Sequence, residues 1–475
     1  MRNYLDFYID GAWVPPIEPR ALDVIDPATE QAAGRISLGS AGDLDRAVAA
    51  ARRAFGSFAF SSKAERLDLL DAIVDALGAR SQDFADAVRE EMGAPAALAS
   101  GAHVPFAFAH FEIARQLLRE FDPETQMGGS RLMKEPIGVV GMITPWNWPI
   151  NQIACKVAPA IAVGCTMVLK PSEVAPFSAQ IFAEAMHAAQ VPAGVFNMVN
   201  GDGPTVGAAM SAHEDIDMIS FTGSTRAGVE VARGAANTVK RVHQELGGKS
   251  ANIILEDADL AVAVGQGVEA MMVNAGQSCN APSRMLVPAA RMAEAADVAK
   301  AVIARQKVGA PTGDVNLGPV VSDVQWGRIQ QLIAAGIAEG ATLVAGGEGR
   351  PDGLNQGYYV RPTVFADVTN DMTIAQEEIF GPVLVMIGYE NEEQAIEIAN
   401  DSPYGLAGYV QSGDIDHGRQ VARRIRAGQV ALNYAPLDLA MPFGGYKRSG
   451  NGREWGEHAF HEFMEVKAVL GYVPA

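Results

Sequence analysis

The sequence predicts an α/β protein built around a doubly wound, Rossmann-like parallel sheet, with a second α/β domain after it. From residue 137 short apolar strands alternate with helical stretches, the pattern that builds a parallel sheet covered on both faces. A second alternating series runs from Asn252 to about Asn433. At 475 residues and 48% hydrophobic side chains, the chain has enough apolar material for two to four domains with large cores.

Taken in order, Phe7 to Val14 reads as an edge hairpin turning at Asp10-Gly11. Leu44, Val48, Ala51 and Phe55 recur at helical spacing. Ser62 and Glu65 form a capping box, and Leu67, Leu70, Val74 and Leu77 make the apolar face behind it. Phe84, Val88 and Met92 mark a third helix ending at Gly93. The strands of the first sheet are expected at Ile137–Ile143, Thr166–Leu169, Val195–Val199, Met218–Phe221 and Lys240–Val242. Helices are expected between them, around Ile153–Val163, Ala179–Ala189, Thr205–Ala212 and Ala227–Ala236.

The 37 basic and 56 acidic residues leave a formal charge of −19, which argues against a nucleic-acid backbone or an anionic membrane as partner. Cys155, Cys165 and Cys279 are too few and too irregularly spaced for a disulfide framework or a zinc site. The first residues, with Arg2, Asp6 and Asp10, lack the apolar core of a signal peptide. The uncharged stretch before Cys155 carries Pro136, Pro145, Pro149, Asn147, Asn151 and Gln152, a poor choice for a lipid-facing helix. A cytoplasmic protein is expected.

Several segments have the residue types of a reaction centre, and each also has an ordinary reading. Gly203 and Gly207, and the turn Gly223-Ser224 before a helix, could cradle phosphate, or could be plain strand-to-helix turns. Lys170-Pro171-Ser172-Glu173 ends a sheet strand, where ribose hydroxyls are bound in such folds, but it also reads as a solvated loop. Cys279, among small and polar neighbours, could be an exposed nucleophile or a small buried side chain, whereas Cys155 and Cys165 read as core. Glu245, read as following a strand, could be a general base or a surface acid. Asn147 sits in the stiff run Thr144-Pro145-Trp146-Asn147-Trp148-Pro149 and could aim an amide at an oxyanion or simply serve a turn. His458 and His461 share a helix face with Glu462, without a third ligand group, and read as solvated.

Read together and in this order, the segments resemble the signatures of the aldehyde dehydrogenase superfamily. Asp26-Pro27-Ala28-Thr29 is similar to its N-terminal element, with aspartate in place of asparagine. Further matching strings are Pro145 to Pro149, Lys170 to Glu173, Phe221 to Ser224, Glu245 to Lys249, Gly276 to Cys279, Glu377 to Pro382 and Pro442 to Lys447. The resemblance covers nearly the whole chain.

It implies a Rossmann-like NAD-binding domain (1–120 and 139–247), an α/β catalytic domain (248–440) and a small β oligomerisation projection with bridging segments (121–138 and 441–475). It also implies that Cys279 attacks the aldehyde and that Asn147 with the Cys279 amide holds the oxyanion. Hydride then passes to nicotinamide, and Glu245 activates the water that hydrolyses the thioester. Lys156 would support Asn147 and the nicotinamide end. Cofactor contacts are implied for Thr144, Pro145, Trp146, Lys170, Ser172, Glu173, Gly203, Gly207, Phe221, Thr222, Gly223, Ser224, Leu246, Gly247, Glu378 and Phe380. A carboxylate at Glu173 favours NAD over NADP. Trp148, Ser278 and Asn280 would line the substrate pocket.

The apolar stretches His103 to Phe111 and Tyr434 to Pro442, with no arginine placed for a carboxylate, predict a hydrophobic aliphatic or aromatic aldehyde as substrate. The alternatives are CoA-acylating oxidation, a cofactor-free cysteine hydrolase and a non-catalytic scaffold. Glu245 speaks against the first of these and Cys279 against the last. No metal, nucleic acid or membrane partner is expected, and the resemblance implies a homodimer or homotetramer.

Overall fold

The computed structural model describes residues 1–473. Its first sheet has eight strands, in the order Gly450–Asn451, Arg241–Glu245, Met218–Thr222, Val139–Ile143, Thr166–Lys170, Phe196–Met198, Phe7–Ile9 and Ala12–Val14. The middle five are mutually parallel, and the edge strands run antiparallel. Within the parallel set the chain starts in the centre at Val139–Ile143, goes outward on one side, then crosses to the other. That is the doubly wound order, with its switch point between the ends of Ile143 and Thr222.

The central strand Val139–Ile143 is continuously apolar because both faces are covered. Val140 and Met142 enter one core with the helices Lys63–Gly78, Val104–Glu120, Pro149–Val163 and Phe177–Ala188. Val139 and Ile143, pointing the other way, enter a second core with the helix Ala41–Phe58. The Ser62–Glu65 capping box is formed, and Gly93 ends its helix at φ +72°. Asp10 and Gly11 both take positive φ, 54° and 77°, as a tight hairpin turn requires.

The second sheet has seven strands, in the order Thr342–Ala345, Thr363–Ala366, Val383–Tyr389, Arg284–Pro288, Ala251–Ile254, Ala407–Gln411 and Gln429–Leu432, and all but the first are parallel. A three-stranded antiparallel sheet joins Glu124–Met127, Ser130–Pro136 and Met464–Val469. A further small sheet of Arg2–Tyr4, Ala21–Asp26 and Gln31–Ser37 has no clear apolar alternation in sequence.

Two expectations need correction. The strand expected to stop at Val242 continues to Glu245, because Gln244 and Glu245 pair with Phe221 and Thr222 on one side and with Asn451 and Gly450 on the other. The 441–475 segment therefore divides: its last strand joins the three-stranded sheet, but the stretch before it closes the edge of the first sheet. Among the described residues no helix is long and apolar enough to cross a membrane. The run before Cys155 is split instead between a buried strand and a helix.

Candidate active site

The switch point presents two loops side by side. Thr144 to Trp148 follows one strand, and Gly223-Ser224 follows its neighbour. Ser224 caps the helix Thr225–Ala235 by accepting the Ala227 N–H at 3.3 Å, so the helix begins at the cleft with its positive end.

Pro145, Trp146, Thr222, Gly223, Ser224, Leu246, Gly247, Glu378 and Phe380 line one cleft of about 180 Å³. Trp146 and Phe380 meet edge to face at 5.3 Å, and Phe380 holds a left-handed φ of 57°. Glu378 accepts the Gly248 N–H at 2.8 Å, and burial lifts its carboxyl to about 7. A Cβ on Gly247 would stand 2.3 Å from the Glu378 carboxylate, so glycine there keeps the cleft open.

Lys170, Ser172, Glu173, Gly203 and Gly207 do not line this cleft; they cluster beyond it on the adjoining strand ends. Lys170 Nζ donates to Gly201 O at 2.7 Å and to Glu173 at 3.1 Å, and Gly207 lies beside its aliphatic stem. Ser172 accepts the Val174 N–H at 3.2 Å, and Asp202 caps the turn Gly203–Gly207. Thr144 is buried, with its N–H donating to Lys170 O. Phe221 is also buried, and its ring packs beneath Gly223 instead of facing the cleft.

Cys279 sits where this cleft meets a second cavity of about 240 Å³, and Thr222 and Gln152 share that junction. The loop leading to it is unusual. Asn274, Ala275 and Gly276 all take positive φ (54°, 53° and 71°), three left-handed residues in succession. Asn147 Nδ2 donates to Gln277 O at 3.2 Å, and Asn274 Nδ2 donates to Asn147 O at 2.9 Å. The asparagine loop and the nucleophile loop are thus tied together.

Burial and the carboxylates of Glu245, Glu378 and Glu454 push the Cys279 thiol up, so it rests protonated and needs a base at the moment of attack. Glu245 lines the second cavity, is 2% exposed, and has no hydrogen-bond partner on either carboxylate oxygen. Burial and the charge of Glu454 raise its pKa well above the usual carboxylate value, so the carboxylate, once formed, holds a proton more strongly than an exposed acid would.

Lys156 departs from its expected place at Asn147. Its buried Nζ donates to Glu454 and, at 3.2 Å, to Ser220 Oγ. A carboxylate 4% exposed needs a cation, and Lys156 is the one that reaches it. Cys155 also donates to Glu454, at 3.3 Å. Phe443, inside the Pro442 to Lys447 string, lines the second cavity together with Glu454 and Trp455, two residues that sequence reasoning missed. Their only sequence signal was the nearby Pro442 to Lys447 string.

Trp148 Nε1 donates to Ser278 Oγ at 2.9 Å, and Tyr409 donates its hydroxyl proton to Asn280 O at 2.8 Å, which fixes both neighbours of Cys279. Phe443 stacks on Trp455 with centroids 4.3 Å apart. Phe106, Leu437 and Leu439 add apolar surface, and no arginine or lysine lines the cavity. His461 pairs with Glu457 at 3.5 Å, and among the described residues no acidic, His and Cys cluster could hold a metal.

A thiol between a dinucleotide-type cleft and an apolar pocket, with a buried carboxylate on the pocket side, defines a covalent-thiol oxidoreductase. The sequence profile of the aldehyde dehydrogenase family matches residues 13–469. A 3-succinoylsemialdehyde-pyridine dehydrogenase of Pseudomonas sp. is 55% identical over 99% of both chains. The solved structure of aldehyde dehydrogenase C of Pseudomonas syringae, a cysteine-to-alanine mutant with NAD+ and octanal, superposes with a TM-score of 0.98 at 53% identity, covering 99% of this chain and 97% of that one. An aldehyde dehydrogenase of Mycobacterium tuberculosis complexed with NAD+ gives a TM-score of 0.96 at 41% identity, covering 98% of each chain. The chain belongs to the aldehyde dehydrogenase family and is an oxidoreductase acting on aldehydes.

Proposed function

We propose that the protein oxidises hydrophobic aliphatic or aromatic aldehydes to carboxylic acids with NAD. The observation that carries this reading is the position of Cys279 on the wall shared by the two cavities, with Glu245 on the pocket side. The cleft fits a nicotinamide nucleotide. It has a helix N-terminus for the pyrophosphate, a glycine-kept opening at Gly247, and Glu378 as acceptor for ribose hydroxyls. Lys170 and Glu173 would hold the adenosine ribose further along.

Cys279 Sγ adds to the aldehyde carbon as its proton leaves to a base. Asn147 Nδ2 and the Cys279 N–H hold the resulting oxyanion, an arrangement worth roughly 10²–10³ in rate per donor. NAD, when bound, supplies the two-electron acceptor that takes the thiohemiacetal to a thioester. Glu245 then removes a proton from water, whose oxygen attacks the thioester carbon. The C–S bond breaks, the acid departs, and the thiol is restored.

The aromatic lining and the absence of a lysine or arginine from it favour neutral, apolar substrates, and the buried acids Glu245 and Glu454 disfavour a carboxylated one. The octanal bound to the Pseudomonas syringae structure and the pyridine in the name of the Pseudomonas relative are consistent with this. We further infer a cytoplasmic homodimer or homotetramer. Its pairing surface would be the three-stranded sheet, which carries exposed Met127 and Val466.

The test is NAD reduction with hexanal, benzaldehyde and succinic semialdehyde in separate reactions, beside Cys279→Ala. Reduction that needs no CoA, vanishes in the variant and is fastest with hexanal or benzaldehyde supports the reading. A requirement for CoA, turnover without any cofactor, or succinic semialdehyde as the best substrate contradicts it.

A further inference from the structure

We propose that His103 is a positioning residue for the oxyanion site: its ring donates to Asn274 and, through it, fixes the asparagine loop against the nucleophile loop. The proposal rests on the reading of Asn147 and Cys279 given above.

His103 closes a π-helical turn, Ala99–His103, and its side chain is buried. The extra residue per turn in such a segment re-aims a side chain, and π-turns concentrate at functional sites. One ring face stacks on Trp148, with centroids 4.0 Å apart and planes 21° from parallel. Its Nε2 lies 3.4 Å from Asn274 Oδ1.

The Asn274 amide group is already committed to two main-chain carbonyls, Asn147 O at 2.9 Å and Gln277 O at 3.3 Å. Its Oδ1 must therefore face the histidine as acceptor, which places the proton on Nε2. Nδ1 has no partner, and burial holds the imidazole neutral, pushed down to about 3. A neutral ring with one aimed donor suits a place where a charge would be costly.

Asn274 is also the first of the three left-handed residues that lead to Cys279. A non-glycine backbone in that region is held there by its surroundings, and the amide fixed by His103 is one of the restraints. Asn147 Nδ2 and the Cys279 N–H, the two oxyanion donors, hang from the segments that Asn274 joins. The stack on Trp148 is a separate function of the same ring and orients one wall of the substrate pocket.

The two roles separate by substitution. His103→Phe keeps a flat ring on Trp148 and deletes the donor, whereas His103→Gln keeps a donor and deletes the stack. In His103→Phe, kcat with octanal per NAD-binding site should fall about tenfold or more with KM little changed, since small displacements of reacting groups are costly. In His103→Gln, kcat should be largely retained and KM raised. Asn274→Gly relieves the left-handed strain and removes the amide, so adding His103→Phe to it should lower kcat no further.

Hydrogen exchange of the cofactor-free protein gives a readout independent of turnover: amides over 273–280 should exchange faster in His103→Phe and not in His103→Gln. Unchanged exchange there in His103→Phe overturns the proposal, as does wild-type kcat in that variant or the same kcat loss in both variants. An inactive wild type would overturn the proposed function instead, and the exchange comparison would still decide the role of His103.

Discussion

Glu454 takes the ammonium of Lys156, and the same buried carboxylate raises the proton affinity of Glu245 across the substrate cavity. Of the two acids only Glu454 has a cation bonded to it, and the Lys156 charge holds it below the usual carboxylate range. The asymmetry separates the two acids, Glu454 favouring the anion and Glu245 the proton, the kind of splitting that acid–base catalysis uses.

Activity should follow the deprotonation of Glu245, and so rise with pH through its raised pKa. Removing the Glu454 charge lowers that pKa and leaves Lys156 to lower it further. Glu454→Gln should therefore move the acid limb of the kcat profile to lower pH. An acid limb that stays in place or moves upward is incompatible with this coupling.

The ion pair also sets stability. Lys156→Met leaves Glu454 buried without a cation and should cost about 3 kcal/mol or more in denaturant unfolding. The double variant Lys156→Met/Glu454→Gln should regain most of that loss. Additive losses in the double variant would mean that the two side chains act independently.

Glu173 is tied to Lys170 at 3.1 Å and partly exposed, and on the proposed cofactor reading its carboxylate repels a 2′-phosphate. Glu173→Gln should narrow the preference for NAD over NADP by about tenfold, read as the ratio of kcat/KM values. An unchanged ratio would remove Glu173 from cofactor selection.

The sequence revealed the residues that chemistry confines to a short string. Asn147 and Trp148 stand together on one loop, Ser278 and Cys279 on another, and Glu245 stands two positions before Gly247. The doubly wound sheet was legible for a similar reason, since strand and helix periods are local. What was not legible depends on contacts far apart in the chain. Glu454 reaches Lys156 across 298 positions, and His103 reaches Asn274 across 171. Glu245 belongs to its strand through pairing with Thr222 and Gly450 on the two flanking strands, and the polar run His243 to Glu245 carries no apolar signal of it. Phe221 fits a cofactor signature by position, yet it acts from beneath Gly223, a distinction that only packing can draw.

In the proposed reaction Glu245 acts after a thioester has formed on Cys279. Pre-steady-state mixing of Glu245→Gln with NAD and octanal tests it most directly. The expected result is a burst of NADH stoichiometric with active sites, then near-arrest, with an octanoyl group found on Cys279 by peptide mass spectrometry. Steady turnover at the wild-type rate with an unmodified thiol would contradict it.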